Sequence, residues 1–155
     1  MGDILIAGTD EKLSLIGLPL GSEKQKPQPS WVHDPKAFTD VGQQITEYFE
    51  GRRQTFDLPL AFEGTAFQKM VWRALQNIPF GQTVSYFELA WRIGRPSASR
   101  AVGSANARNP LPIILPCHRV VGKSGALTGY AGGLRWKEKL LRVEGALPTE
   151  ADTGS

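Results

Sequence analysis

The stretch "SYFELAWRIGRPSASRAVGSANARN", residues 85–109, reads as two short helical segments broken at Arg95-Pro96, a helix-turn-helix pattern. At about 100° per residue, Ala98, Val102 and Ala105 share one face of the second helix and can pack on the rest of the domain. The opposite face carries Ser97, Arg100, Gly103, Ser104 and Ala107, bare apart from one long cation. Helices that read the major groove present several long polar side chains to base edges. A row of Gly, Ala and Ser instead lets the backbone come close, as a narrow groove requires, with Arg100 projecting alone. A small-residue helix packed against another helix, with Arg100 solvated, fits the same pattern.

Downstream, "PIILPCHRVVG" (112–122) holds the only cysteine of the chain and one of its two histidines. A lone cysteine can be packing material, since free Cys behaves as a small hydrophobe. It can also be a nucleophile, which requires an imidazole to take its proton and a carboxylate to orient that imidazole. His118 is adjacent, but in an extended segment neighbouring side chains point to opposite faces, so a bridging water is the natural coupling. Pro116 fixes φ ahead of the cysteine and suits a strand terminus or sharp turn. "GKSG" (122–125) lacks the upstream glycine of a phosphate loop, and Ala126 stands where a nucleophile elbow needs its second glycine.

Upstream, Phe67, Met70, Val71, Leu75 and Ile78 recur at helical steps, ended by Pro79 and Gly81. "DILIAG" and "EKLSLIGLPL" read as a hairpin or adjacent strands, and "TFDLPLAF" as a further strand. Residues 21–35 form a Pro-, Lys- and Gln-rich connection in which His33 is a surface or cap residue. Phe38, Val41, Ile45 and Phe49 have helical spacing, with Gly51 as the stop. "ALTGYAGG" reads as a strand and Gly-rich loop, and "LRWKEKLLRVEGA" as an amphipathic helix ended by Gly145.

The 155 residues suffice for one ordinary domain or two small ones, and one cysteine allows no internal disulfide. Cys117, His33 and His118 do not make a four-ligand zinc set, so no metal is expected. No apolar run approaches the roughly 20 residues that span a bilayer, and the N-terminus lacks a basic flank, so the chain reads as soluble and intracellular, without a membrane partner. The charge is split: residues 1–63 balance at −4 and residues 64–155 at +7, for a net +3. A basic C-terminal part beside an acidic N-terminal part points to a polyanion bound by the former, or to an ordinary solvated surface.

"NPLPIILPCHRVVGKSGALTGYAGGL", preceded by "IPFGQTVSYFELAWRIG" and "SRAVGSANARNP", resembles the O6-alkylguanine-DNA alkyltransferases, also called methylated-DNA–protein-cysteine methyltransferases. The similarity runs from about Phe67 to Gly145. The N-terminal third matches only in pattern, as the small domain these proteins carry. The resemblance implies a small α/β N-terminal domain over 1–62 (a sheet plus a helix, shortened at its start). It further implies a mainly α DNA-binding and catalytic domain with the helix-turn-helix over 63–147, and a loose tail over 148–155.

The implied activity is irreversible, single-turnover transfer of an alkyl group from O6-alkylguanine in double-stranded DNA to Cys117. No cofactor is implied, and the protein would be a cytoplasmic or nuclear monomer. Glu144 would hold His118, which would act through a water on Cys117. Tyr86 would give a hydrogen bond or proton to the guanine ring. The carbonyls of Cys117 and Val120 would read the exocyclic amine, the Ala131 amide would face O6, and Tyr130 would shape the pocket wall. Asn109 would brace the turn before the active-site segment, and Arg100 would fill the gap left by the flipped base. The alternatives are a protein that recognises the lesion without accepting the alkyl group, and an unrelated cysteine hydrolase that ignores DNA.

Overall fold

The computed structural model describes residues 4–9, 12–18, 38–122 and 133–146. The chain opens with an antiparallel hairpin, β1 (Leu5–Thr9) and β2 (Lys12–Gly17), whose register slips at Ala7/Gly8. Helix α1 (Thr39–Phe49) follows, then α2 (Ala66–Leu75), the two-residue strand β3 (Val84–Ser85), α3 (Tyr86–Arg92) and α4 (Ser99–Ala107). A 3-10 turn, Cys117–Arg119, runs into β4 (Val120–Val121), which pairs in parallel with β3, and α5 (Leu134–Val143) is the last element of the described residues. A small sheet with one helix therefore precedes a mainly helical part. No helix among the described residues is long and apolar enough to cross a membrane.

The stretch 55–62, expected as a strand, contributes a single parallel bridge, Leu13 with Leu60. The Leu13 amide donates to the Pro59 carbonyl (2.9 Å) and the Ala61 amide to the Leu13 carbonyl (2.8 Å). Pro59 has no N–H to continue the ladder. In α1 the inward row is Val41, Ile45 and Tyr48, with Phe49 only half-buried. Tyr48, with none of its surface exposed, sits among Phe49, Phe56 and Phe80.

Helix α2 begins at a capping box, where the Thr65 hydroxyl accepts from the Gln68 amide and the Gln68 side chain accepts from the Thr65 amide, each 3.0 Å. Its buried residues are Val71, Trp72 and Leu75, while Ile78 lies in the turn beyond. Trp72 Nε1 donates to the Ala105 carbonyl at 2.8 Å, which fixes α4 across α2. Helices α3 and α4 form the expected helix-turn-helix, with Val102 and Ala105 buried. Ser97 precedes the first turn of α4 and so lies in the connecting turn rather than on the helix face.

Candidate active site

The active-site segment is shaped by what precedes it. Leu111 through Val120 are all buried, so each polar group there needs an internal partner. Asn109 supplies two contacts: its Oδ1 accepts from the Leu111 amide (2.9 Å) and its Nδ2 donates to the Leu115 carbonyl (2.7 Å). The Leu115 amide returns to the Leu111 carbonyl at 2.8 Å. The tight loop so formed forces Ile113 to φ +78°, a left-handed conformation that costs a β-branched residue about 1–3 kcal/mol. Asn109 thus sits at the turn it was expected to brace.

Cys117 and His118 do not lie in extended chain. The Arg119 amide donates to the Pro116 carbonyl (3.0 Å), and Cys117–Arg119 form one 3-10 turn. Three residues per turn rotate successive side chains by about 120° rather than 180°, so the two residues are not on opposite faces. The Cys117 carbonyl accepts from the Val120 amide and from Asn106 Nδ2 (3.3 Å), which engages both its lone pairs.

Behind the thiol lies a buried carboxylate with five donors. Glu144 Oε2 accepts from the Tyr48 hydroxyl (2.6 Å), His118 Nε2 (2.7 Å) and Arg119 Nη2 (2.9 Å). Its Oε1 accepts from Arg119 Nε (2.8 Å) and the Gly81 amide (3.1 Å). Arg119 is itself tied to the Ile78 carbonyl through Nη1 at 2.6 Å. Burial pushes the Glu144 pKa up, but the hydrogen bonds from His118, Arg119 and Tyr48 and the attraction of His118 outweigh it and bring the carboxyl down to about 2.

An ionised carboxylate can only accept, so the neutral His118 ring carries its proton on Nε2 and its lone pair on Nδ1. Nδ1 has no hydrogen-bond partner among the described residues. Burial lowers the His118 pKa, against the raising influence of Glu144, with Arg119 and Lys137 adding to the fall. The imidazole is therefore neutral and available as a base near pH 7.

Lys137, on α5, was not singled out in the sequence. It is fully buried, with Nζ 5.8 Å from the centroid of the Tyr86 ring. Burial lowers its pKa to about 8, against the opposing pull of Cys117. One cation thus faces both the thiol and the first residue of α3. Its spacing gave a signal: Trp136, Lys137, Leu140 and Leu141 are the buried residues of α5, and Glu144 follows one turn later. Tyr48 and Arg119 were likewise missed, since both reach Glu144 from far along the chain.

On α4, Arg100 and Ser104 are exposed, Gly103 and Ala107 half-buried, and Ser97 is exposed just before the helix. A Cβ added at Gly103 would lie 3.7 Å from the Tyr86 ring, an ordinary contact, so the small-residue face adjoins Tyr86. Val120 is buried in β4. Tyr130 and Ala131 lie outside the described residues.

The family described as 6-O-methylguanine DNA methyltransferase, DNA binding domain, matches residues 66–146, more than half the chain. The chain belongs to the 6-O-methylguanine DNA methyltransferases. The ribonuclease-like domain of the same family matches residues 1–62. A methylated-DNA–protein-cysteine methyltransferase of Methanosarcina acetivorans is 51% identical, over 94% of this chain and 94% of its own length. The constitutive enzyme of that name from Bacillus subtilis is 43% identical, over 93% of this chain and 90% of its own. The crystal structure of Mycobacterium tuberculosis OGT in complex with DNA superimposes with a TM-score of 0.87 at 42% identity, covering 97% of this chain and 91% of that one. The fold of this methyltransferase is that of the family, and its activity class is DNA repair by alkyl transfer to a protein cysteine.

Proposed function

We infer that this methyltransferase takes the alkyl group from an O6-alkylguanine flipped out of duplex DNA onto Cys117, in one irreversible turnover. The observation that carries the reading is the only thiol of the chain, in a 3-10 turn beside a neutral histidine whose far nitrogen is held by an ionised carboxylate.

His118 Nδ1 takes the thiol proton through a water, and Glu144 stabilises the imidazolium that forms. The Cys117 sulfur attacks the alkyl carbon in line, the carbon–oxygen bond breaks, and guanine leaves with the electron pair. Tyr86 donates to the ring nitrogen where negative charge develops, and Lys137 stabilises the thiolate before attack. The alkyl group moves from oxygen to sulfur without oxidation, so the step needs no redox cofactor. The product thioether has no hydrolysable bond, and the protein is spent.

Flipping costs a few kcal/mol of stacking and pairing. The small-residue face of α4, with Ser104, Gly103 and Ala107, lets backbone approach the minor groove, where Arg100 fills the vacated stack and Ser97 meets the backbone from the turn. The DNA-bound structure of the M. tuberculosis relative supports DNA as the partner. In the flipped-base pocket Val120 offers its carbonyl to the exocyclic amine, with Tyr130 and the Ala131 amide assigned by resemblance. Asn109 holds the loop that presents the thiol. Residues 63–147 carry these functions, 1–62 form the accompanying domain, and the protein acts as a cytoplasmic monomer.

Mass spectrometry of the protein mixed with a duplex carrying one O6-methylguanine tests the reading. The expected result is one added methyl on the Cys117 peptide, saturating at one lesion per protein. Tight lesion binding with no mass gain would mean recognition without transfer.

A further inference from the structure

Tyr48 belongs to the N-terminal part of the chain, yet its hydroxyl ends on Glu144, 96 residues away, in the C-terminal part. Its ring is fully buried among Phe49, Phe56 and Phe80, with centroids at 5.3, 5.5 and 6.1 Å. A phenylalanine would fill that aromatic space equally well. The hydroxyl therefore adds a single feature, a 2.6 Å donor to the carboxylate oxygen that also receives His118 Nε2. The phenol stays protonated, because burial and the adjacent Glu144 charge both drive its pKa upward.

The geometry points to Tyr48 as a positioning residue for proton transfer, through which the N-terminal domain sets how strongly Glu144 holds the His118 imidazolium. This rests on the roles given to His118 and Glu144 above. A carboxylate relieved of one donor concentrates its charge on those that remain and becomes more basic. Its pull on a protonated His118 grows, so the imidazole keeps its proton to higher pH. The other groups facing the pair are unaffected by the change: Arg119 from the 3-10 turn, the Gly81 amide from the loop after α2, and Lys137 from α5.

The test is the pH profile of single-turnover methyl transfer from an O6-methylguanine duplex at saturating protein, between pH 5 and 9. Tyr48→Phe is expected to move the acid limb upward by roughly half a unit to one unit, the share of a charged hydrogen bond that the imidazole feels. Transfer on that limb then falls about three- to tenfold. Site-specific 3,5-difluorotyrosine at position 48 keeps the ring and donates more strongly, so it is expected to move the limb downward. That second variant decides the matter even if Tyr48→Phe fails to fold. Phe49→Leu loosens the same aromatic cluster but keeps the hydroxyl, and is expected to leave the midpoint in place.

A limb displaced as far by Phe49→Leu as by Tyr48→Phe would assign the effect to packing and overturn the proposal. So would wild-type midpoints in both Tyr48 variants while Glu144→Gln abolishes the limb. If Glu144→Gln itself keeps the wild-type profile, the His118–Glu144 assignment fails first and the role of Tyr48 falls with it.

Discussion

Lys137→Met tests whether this protein carries a destabilising cation for the sake of its thiol. Lys137 has no exposed surface, and burial lowers its pKa from 10.5 to about 8 despite the attraction of Cys117. A depression of that size corresponds to about 3 kcal/mol. The pKa is lower folded than unfolded, so the unfolded chain binds the proton more tightly. The stability associated with the site is complete above pH 10.5 and is lost as pH falls through about 8. At pH 7 the folded protein bears nearly the whole cost of the buried ammonium.

Methionine is unbranched, of similar length and uncharged. Lys137→Met removes that cost at pH 7, against the loss of the ammonium's contacts, the Tyr86 ring among them, so its stability relative to the wild type is expected to be more favourable there than at high pH. That relative stability should fall by about 2–3 kcal/mol between pH 7 and pH 10, as wild-type Lys137 becomes neutral in the folded state. Urea unfolding of both proteins at the two pH values measures this directly, and packing changes common to both conditions cancel. The same substitution removes the cation that faces the thiol, and single-turnover transfer at pH 7 is expected to slow at least tenfold, about 1.4 kcal/mol of transition-state stabilisation. An identical stability difference at both pH values would mean that Lys137 titrates normally in the folded protein. Unchanged transfer would mean that its charge does not act on the sulfur. Either result refutes the reasoning.

Arg100→Ala should slow repair of duplex DNA far more than reaction with free O6-benzylguanine, because only the duplex requires flipping; equal slowing in stopped assays would remove the intercalating role. Asn109→Ala leaves the buried Leu111 amide and Leu115 carbonyl without their side-chain partner, and should cost about 2–4 kcal/mol in urea unfolding while slowing transfer. Trp72→Phe deletes the bond to the Ala105 carbonyl and should cost about 1–2 kcal/mol, with weaker duplex binding as α4 loosens. Stability should fall with acid in two stages, measurable by thermal melts. Burial depresses His118 from 6.5, so its contribution is lost as pH falls below 6.5, and that of Glu144 is lost as pH falls from 4.5 towards about 2. A flat profile between pH 6.5 and 3 would contradict both shifts.

Much of the architecture was legible because it is written in local periodicity. The hairpin, all five helices and the turn at Gly145 follow from apolar spacing and Gly/Pro punctuation. Leu13–Leu60 escaped that logic, because a strand pattern in 55–62 says nothing of how far its partner can follow past Pro59. Tyr48 escaped too: the helical row of α1 reads equally well through Phe49, and only packing against Phe56, Phe80 and Glu144 turned Tyr48 inward.

The sequence by itself determined the thiol, its neighbouring imidazole and the bare face of α4, since each lies within a run of one or two dozen residues whose spacing constrains it. Tertiary structure alone decided how those groups are set to work. The 3-10 turn at Cys117–Arg119 exists because Asn109 and Pro116 close the loop before it. The ionised state of Glu144 depends on donors from residues 48, 81, 118 and 119 converging on one carboxylate. Protonation states are set by everything within a few ångströms, and which residues come that close is fixed by the packing of distant segments rather than by their order in the chain.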